Sequence, residues 1–324
     1  MTRKNGKLGD SSIRIGISTC LLGEPVRYDG GHKRDRYLTD TIGEMVEFVP
    51  VCPEVELGLG TPRPAIRLQE VGGLVRLLCP DRDEDLTARM DEFARKRIRA
   101  LAKLGLSGYI LKSKSPSCGM ERVKLYRERG APLRTGRGRF AAALMEAITD
   151  LPVEEEGRLN DPVLRENFFE RVFARKRLDD FFAGRWTIGG LVALHTREKA
   201  TLRAHDPAAY RRLGRLVADA KTLGRRELEA AYRREQFEAM RKRATRRKHT
   251  DVLQHLAGHL KKRATDGERR ALADEIHDYR EGLIPRIVPL TVLRHLARRL
   301  EITYVLEQHY LSPDPRELML QNHV

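Results

Sequence analysis

Four cysteines occur in 324 residues, and three of them sit in settings that suit chemistry. Cys20, Cys52 and Cys118 each follow a short apolar run and are each closely followed by Gly or Pro. Their spacings of 32 and 66 residues are far from the C-x-x-C of a zinc ribbon or a bacterial ferredoxin. Only the fold can bring them together. In a reducing compartment such residues read as core, metal ligand or nucleophile rather than as disulfides. Three thiolates are one too few to close an ordinary four-cysteine iron-sulfur site, so a cluster held by them keeps one iron open as a Lewis acid. Two other readings stay open: zinc held by three cysteines and a water, and three buried thiols that simply pack. Cys79 follows Leu77-Leu78 and reads as a core or surface thiol.

The elements that must position these residues are visible as apolar runs. Ile13-Arg-Ile-Gly-Ile-Ser18 leads to Cys20, Phe48-Val-Pro-Val51 to Cys52, and Tyr109-Ile-Leu111 through Lys112-Ser-Lys-Ser115 to Cys118. Their lengths and β-branched or aromatic content fit buried strands. A hairpin is expected around Gly72-Gly73 with Leu74–Leu78 as its return strand. A charged amphipathic helix follows over Leu86–Leu104, closed by Gly105. Strand, helix, strand predicts an α/β domain with a Rossmann-like parallel sheet, in which ligands gather beyond the carboxyl ends of the strands. Gly136-Arg-Gly138-Arg-Phe-Ala141 matches G-x-G-x-x-A, but no convincing strand precedes it, so a helix-opening loop near the site is expected rather than a dinucleotide fingerprint.

Beyond about residue 160 the chain reads as an all-α domain of six or seven short helices. Leu164, Phe168, Phe169, Val172 and Phe173 recur at helical spacing, and Phe181-Phe182 and Trp186 read as core. The expected division is 1–150, a linker over 151–162, and 163–324. His255 and His259 lie at i, i+4 but lack the Glu of H-E-x-x-H.

Composition bounds the function. With 62 Lys+Arg against 46 Asp+Glu, the formal charge is +16 and both halves are basic, which favours anionic partners. The run Arg241-Lys-Arg-Ala-Thr-Arg-Arg-Lys248 is the strongest basic stretch; it suits RNA or a solvated face. No stretch approaches the ~20 apolar residues of a spanning helix. The first ten residues lack a secretory h-region. A cytoplasmic protein with no membrane role is expected, its oligomeric state open.

Three motifs together carry a resemblance: Cys20-Leu-Leu-Gly-Glu-Pro-Val-Arg-Tyr-Asp-Gly-Gly-His32, Val51-Cys-Pro-Glu-Val-Glu-Leu-Gly-Leu-Gly-Thr-Pro-Arg-Pro64 and Leu111-Lys-Ser-Lys-Ser-Pro-Ser-Cys-Gly119. Over roughly 13–150 the chain resembles the thiouracil desulfidase family. That resemblance implies a 4Fe-4S cluster on Cys20, Cys52 and Cys118 with one open iron, and hydrolytic removal of sulfur from a thiolated pyrimidine without net redox change, releasing hydrosulfide. It maps the catalytic glutamate onto Glu54 and places the active-site serine within Ser-Pro-Ser-Cys, with Ser115 favoured and Ser117 a substrate contact. His32 and Arg63 are further substrate-binding candidates, although Arg63 could instead pair with Glu54. Over about 185–324 the segments Leu191–His195, His249–His259, Tyr279–Leu290 and Tyr310–Leu320 resemble the YbgA-type domain, an accessory domain of no settled activity. The competing function is an iron-sulfur protein that binds RNA or senses oxidant without turnover, which would have no need of Glu54.

Overall fold

The computed structural model describes residues 12–313, 315, 318 and 320–323. Two compact units divide the chain, Met1–Asp161 and Pro162–Val324. The first contains, in chain order, β1 Arg14–Ser18, α1 Arg36–Asp40, β2 Glu47–Val51, α2 Pro53–Glu56, β3 Arg67–Val71, β4 Leu74–Cys79, β5 Glu84–Asp85, α3 Thr87–Ala102, β6 Gly108–Leu111, β7 Val123–Tyr126, β8 Leu133–Gly136, α4 Arg139–Ala147 and β9 Val153–Glu155.

One sheet, in the order β2-β1-β6-β9, is wholly parallel. Its central strands are apolar on both faces, since Ile15, Ile17, Tyr109, Ile110 and Leu111 are all buried. Gly16 is glycine because the Tyr109 ring lies across it: a β-carbon would stand 2.2 Å from that ring. The second sheet, β5-β4-β3-β7-β8, is mixed, with β3 and β7 parallel and the other pairs antiparallel. The expected hairpin is β3-β4, turning at Gly72 and Gly73, both with positive φ. Helix α3 buries Met90, Ala94, Ile98 and Leu101 along one stripe, and Gly105 at φ +64° turns the chain after it.

Two expectations do not hold. A short strand, β8, does precede the G-x-G-x-x-A segment, although it is exposed along most of its length and lies in the mixed sheet. The segment expected as a linker is also partly structural. Val153, Glu154 and Glu155 are buried as strand β9 on β6, because the two carboxylates accept backbone and arginine hydrogen bonds and so tolerate burial.

The second unit is helical: α5 Pro162–Ala183, α6 Ile188–His205, α7 Pro207–Ala218, α8 Arg225–Arg241, α9 Arg246–Gly258, α10 Asp266–Glu281, α11 Ile287–Arg299 and the single turn α12 Thr303–Leu306. Asp206, with Pro207 at the first helical position, caps α7, and Thr265 with Glu268 forms a capping box on α10. The aromatic residues are core, as expected. Phe182, Trp186 and Tyr232 pack edge to face with Leu191 and Leu213 around them.

Candidate active site

The register of the parallel sheet explains how distant cysteines meet. Ser18 of β1 pairs with Val51 of β2, and Ile17 pairs with Ile110 of β6, so three adjacent strands end at one level. The thiols follow beyond those ends. After β1 a 3-10 turn, Thr19–Leu22, carries Cys20, whose carbonyl accepts from Lys33 N at 2.9 Å. After β2, Cys52 occupies the cap position of α2 with Pro53 as first helical residue, and its own N–H donates to Glu56 Oε1 at 3.1 Å. Glu54 therefore sits on the first turn of α2.

The loop after β6 is tied at both ends. Lys112 N donates to Ser18 Oγ at 2.9 Å, and Gly119 N to the Ser115 carbonyl at 2.8 Å. Ser115 Oγ accepts from Ser117 N at 3.2 Å and from Cys118 N at 3.1 Å. With its acceptor positions so used, its proton is free to point at Glu54 Oε1, 3.5 Å away. Helix α4 docks on this loop through Arg139 N to the Pro116 carbonyl and Ala141 N to the Ser117 carbonyl. Gly138 permits the approach, which gives the G-x-G spacing a packing cause.

Cys20, Cys52, Cys118, Glu54, Arg63 and Ser115 line one cavity of about 440 Å³. Two expected residues do not. His32 lies in the irregular stretch after the Tyr28–Asp29 turn, where its Nδ1 accepts from Arg34 N at 3.2 Å. Ser117 is fully buried, and its hydroxyl has no partner among the described residues. Arg63 faces the cavity but is committed to the protein. Its Nε donates to Glu54 Oε2 at 3.0 Å, and Nη1 to the carbonyls of Val26 at 3.0 Å and Gly60 at 2.9 Å. It fixes one carboxylate oxygen and leaves the other toward Ser115. Cys79 lies in the core and does not line the cavity.

Sequence reasoning missed the cations of this cavity and the acidic residues behind it. Arg27, Lys33, Lys112 and Lys114 are in its lining. The Lys112 ammonium pairs with Glu156 and donates to Ser113 Oγ at 2.9 Å. Glu156 Oε2 accepts from Ser113 N at 2.7 Å, and Glu155 Oε1 from Met120 N, also at 2.7 Å. The end of β9 thus clamps the chain on both sides of Ser115 and Cys118. The run Val153-Glu-Glu-Glu156, apolar then acidic after a Pro, was the signal for it.

Burial pushes the Cys20 thiol up to about 11, against the pull of Lys112 and with a further push from Cys52. Cys52 is raised by burial and partly relieved by the N–H groups of α2. Cys118 is raised well above the ordinary thiol range, by burial and then by Glu54 and the other two sulfurs. A metal centre that replaces these protons would relieve that crowding of three thiols. Among the described residues no three His, Cys, Asp or Glu side chains converge as the ligands of one ion do. Cys20, Cys52 and Cys118 do share one cavity, and three soft thiols are a donor set that suits iron.

The family described as 2-thiouracil desulfurase matches residues 15–156, and a family of unknown function, DUF1722, matches residues 199–315. The uncharacterized protein YbgA of Escherichia coli is 30% identical over 153 residues, 47% of this chain and 90% of YbgA. The uncharacterized protein YbbK of Bacillus subtilis is 32% identical over 151 residues, 45% of this chain and 97% of YbbK. A solved structure, the 4Fe-4S-dependent thiouracil desulfidase TudS, is 32% identical and covers 46% of this chain and 94% of its own, with a TM-score of 0.39.

Proposed function

Because the chain belongs to the 2-thiouracil desulfurase family through its first unit and to the DUF1722 family through its second, we propose that the first unit hydrolyses the C=S bond of a thiolated pyrimidine. The observation that carries this reading is the meeting of Cys20, Cys52 and Cys118 with the Glu54–Ser115 pair in one cavity. A 4Fe-4S cluster held by the three thiolates, with one iron free of protein ligands, would supply a soft Lewis acid for the thiocarbonyl sulfur.

The remaining work falls to side chains. Glu54 takes a proton from water as the water oxygen bonds to the C=S carbon, and the C–S bond breaks to give hydrosulfide and a carbonyl, with no change of oxidation state. Arg63 holds Glu54 by one oxygen so that the other stays aimed into the cavity. The Ser115 hydroxyl donates to that free oxygen and orients it. The Lys112 ammonium lends positive charge where sulfur gathers negative charge.

Glu54→Gln tests this assignment, since it preserves volume and removes the base. Iron and sulfide content should stay at the level of the parent, while hydrosulfide release from thiouracil falls on the order of a hundredfold or more. Undiminished release would overturn the role of Glu54. No release by the intact iron-loaded chain would favour a sensor without turnover.

A further inference from the structure

The helical unit encloses a second cavity, of about 230 Å³, that desulfidation leaves unused. Its inner wall is built by the buried side chains of Glu166, His249 and Arg286, and Arg243, Thr245 and Arg246 lie at its mouth where α9 begins. The inner charges answer one another. Arg286 pairs with Glu166 and lies 3.5 Å from Glu170, and His323 Nε2 lies 2.8 Å from Glu166. His205 joins Glu170 at 3.1 Å to the carbonyl of Lys242 at 2.7 Å. Burial takes His249 down to about 4, so it is neutral near pH 7.

The mouth is different. Arg243 and Arg246 make no ion pair among the described residues, although they lie in the most basic run of the chain. The cap of α9, Thr245 Oγ1, accepts from Lys248 N at 3.4 Å and leaves the N–H groups of Arg246 and Arg247 without an intrahelical acceptor. Gln321, 8% exposed, lines the same cavity, and its buried Nε2 has no acceptor among the described residues. The uncommitted polar groups at this mouth are donors, and two of them carry full charge. A ligand that satisfies them all is anionic and offers only acceptors.

We propose that this cavity binds a phosphate monoester, the terminal phosphate of a free nucleotide or of an RNA 5′ end. Phosphate matches guanidinium forks in a bidentate way, and a helix N-terminus favours it through both its free N–H groups and its dipole. The volume lies below the roughly 300–1,000 Å³ of drug-sized ligand sites, which suits a headgroup rather than a whole nucleotide. A monoester has one link and three terminal oxygens, so it enters a recess closed by a buried wall, whereas an internal phosphodiester would have to thread through it. Its charge of about −1.5 to −2 near neutral pH meets two unpaired arginines. This site stands apart from the desulfidase reading, and the failure of either leaves the other intact.

The test uses the full chain and three probes: uridine 5′-monophosphate, a 5′-phosphorylated oligoribonucleotide and its 5′-hydroxyl twin. Binding is read by calorimetry for the nucleotide and by anisotropy for the oligomers. The phosphorylated oligomer should bind at least about tenfold tighter than its twin, the weight of one charge-assisted contact. The variant R243A/R246A should weaken the phosphorylated probes by a similar factor while thiouracil desulfidation stays at the parental rate. Oligomer binding tighter than nucleotide binding assigns the RNA end, and equal affinity assigns the free nucleotide. Equal affinity of the two oligomers, or unchanged binding by R243A/R246A, overturns the proposal.

Discussion

Gly138 is where helix α4 meets the loop that carries Cys118, and Gly138→Ala has a consequence that can be worked from the geometry. A β-carbon there would stand 2.5 Å from the Ser117 carbonyl oxygen, 2.6 Å from its carbon and 2.7 Å from Gly119 N. Ordinary contact begins near 3.4 Å, so either the helix or the loop must retreat by about 0.9 Å. All three neighbours are backbone, and no side-chain rotation relieves the clash. Overpacking of this kind costs about 1–3 kcal/mol. Cys118 lies between the two clashing residues and its N–H is bound to Ser115 Oγ, so a proposed iron ligand and the residue facing Glu54 move together. A misplacement of about 1 Å costs a catalyst about a hundredfold. The assay is anaerobic purification, iron and sulfide analysis, and hydrosulfide release from thiouracil, with Gly157→Ala as the control. A β-carbon at Gly157 has its nearest neighbour at 3.8 Å, so that variant should behave as the parent. Gly138→Ala with full iron content and parental turnover would refute the claim that this approach sets the geometry of the site.

Replacing Cys20, Cys52 or Cys118 by Ala should abolish iron binding in elemental analysis, whereas Cys79→Ala should keep the iron and lower the thermal midpoint through loss of core packing. Glu155→Ala should strip the acceptor from Met120 N and Glu121 N, costing about 1–3 kcal/mol by chemical denaturation and speeding proteolysis near 119–122. Acid should weaken the helical unit. Burial lowers His195 and His249 from 6.5 to about 4, so the unfolded chain binds more protons between those values and stability falls as pH drops from about 6.5 to 4. Each histidine is worth at most about 3 kcal/mol at one unit per 1.36 kcal/mol. Trp186, the only tryptophan, is buried in that unit and reports its unfolding by fluorescence; a flat midpoint across this range would contradict the burial of both rings as neutral groups.

The parallel sheet and the cysteine site were legible because strand-ending apolar runs and cysteines advertise themselves locally. Periodicity placed β1, β2, β6 and α3 within a few residues of their observed bounds. What escaped depends on tertiary partners. Strand β9 reads as polar because its burial is compensated by hydrogen bonds from Met120, Glu121 and Arg158, of which the first two are distant in sequence. The mixed sheet was missed beyond its hairpin, since β7 and β8 are short and their pairing is irregular between Val123 and Leu125. Arg63 was left between two roles because only distances decide whether a guanidinium is spent on a neighbouring carboxylate. His32 and Ser117 were drawn in by adjacency to motifs, yet His32 is spent on Arg34 N and Ser117 is fully buried, and neither lines the cavity.

Strand β9 also fixes an order of events. In a zinc finger neighbouring residues grip the metal, and the metal then organises the chain. Here the sulfurs arrive from three strands spread over about a hundred residues, and the acidic clamp on the Cys118 loop is the last part of the sheet to be synthesised. Loop closure on that scale has to be met by apolar pairing before any ligand geometry exists. The proposed iron centre would therefore be a late guest in a finished scaffold. Its assembly would be a delivery step on folded protein, and a nascent chain cut short at residue 150 would offer the three thiols without the brace that holds one of them in place.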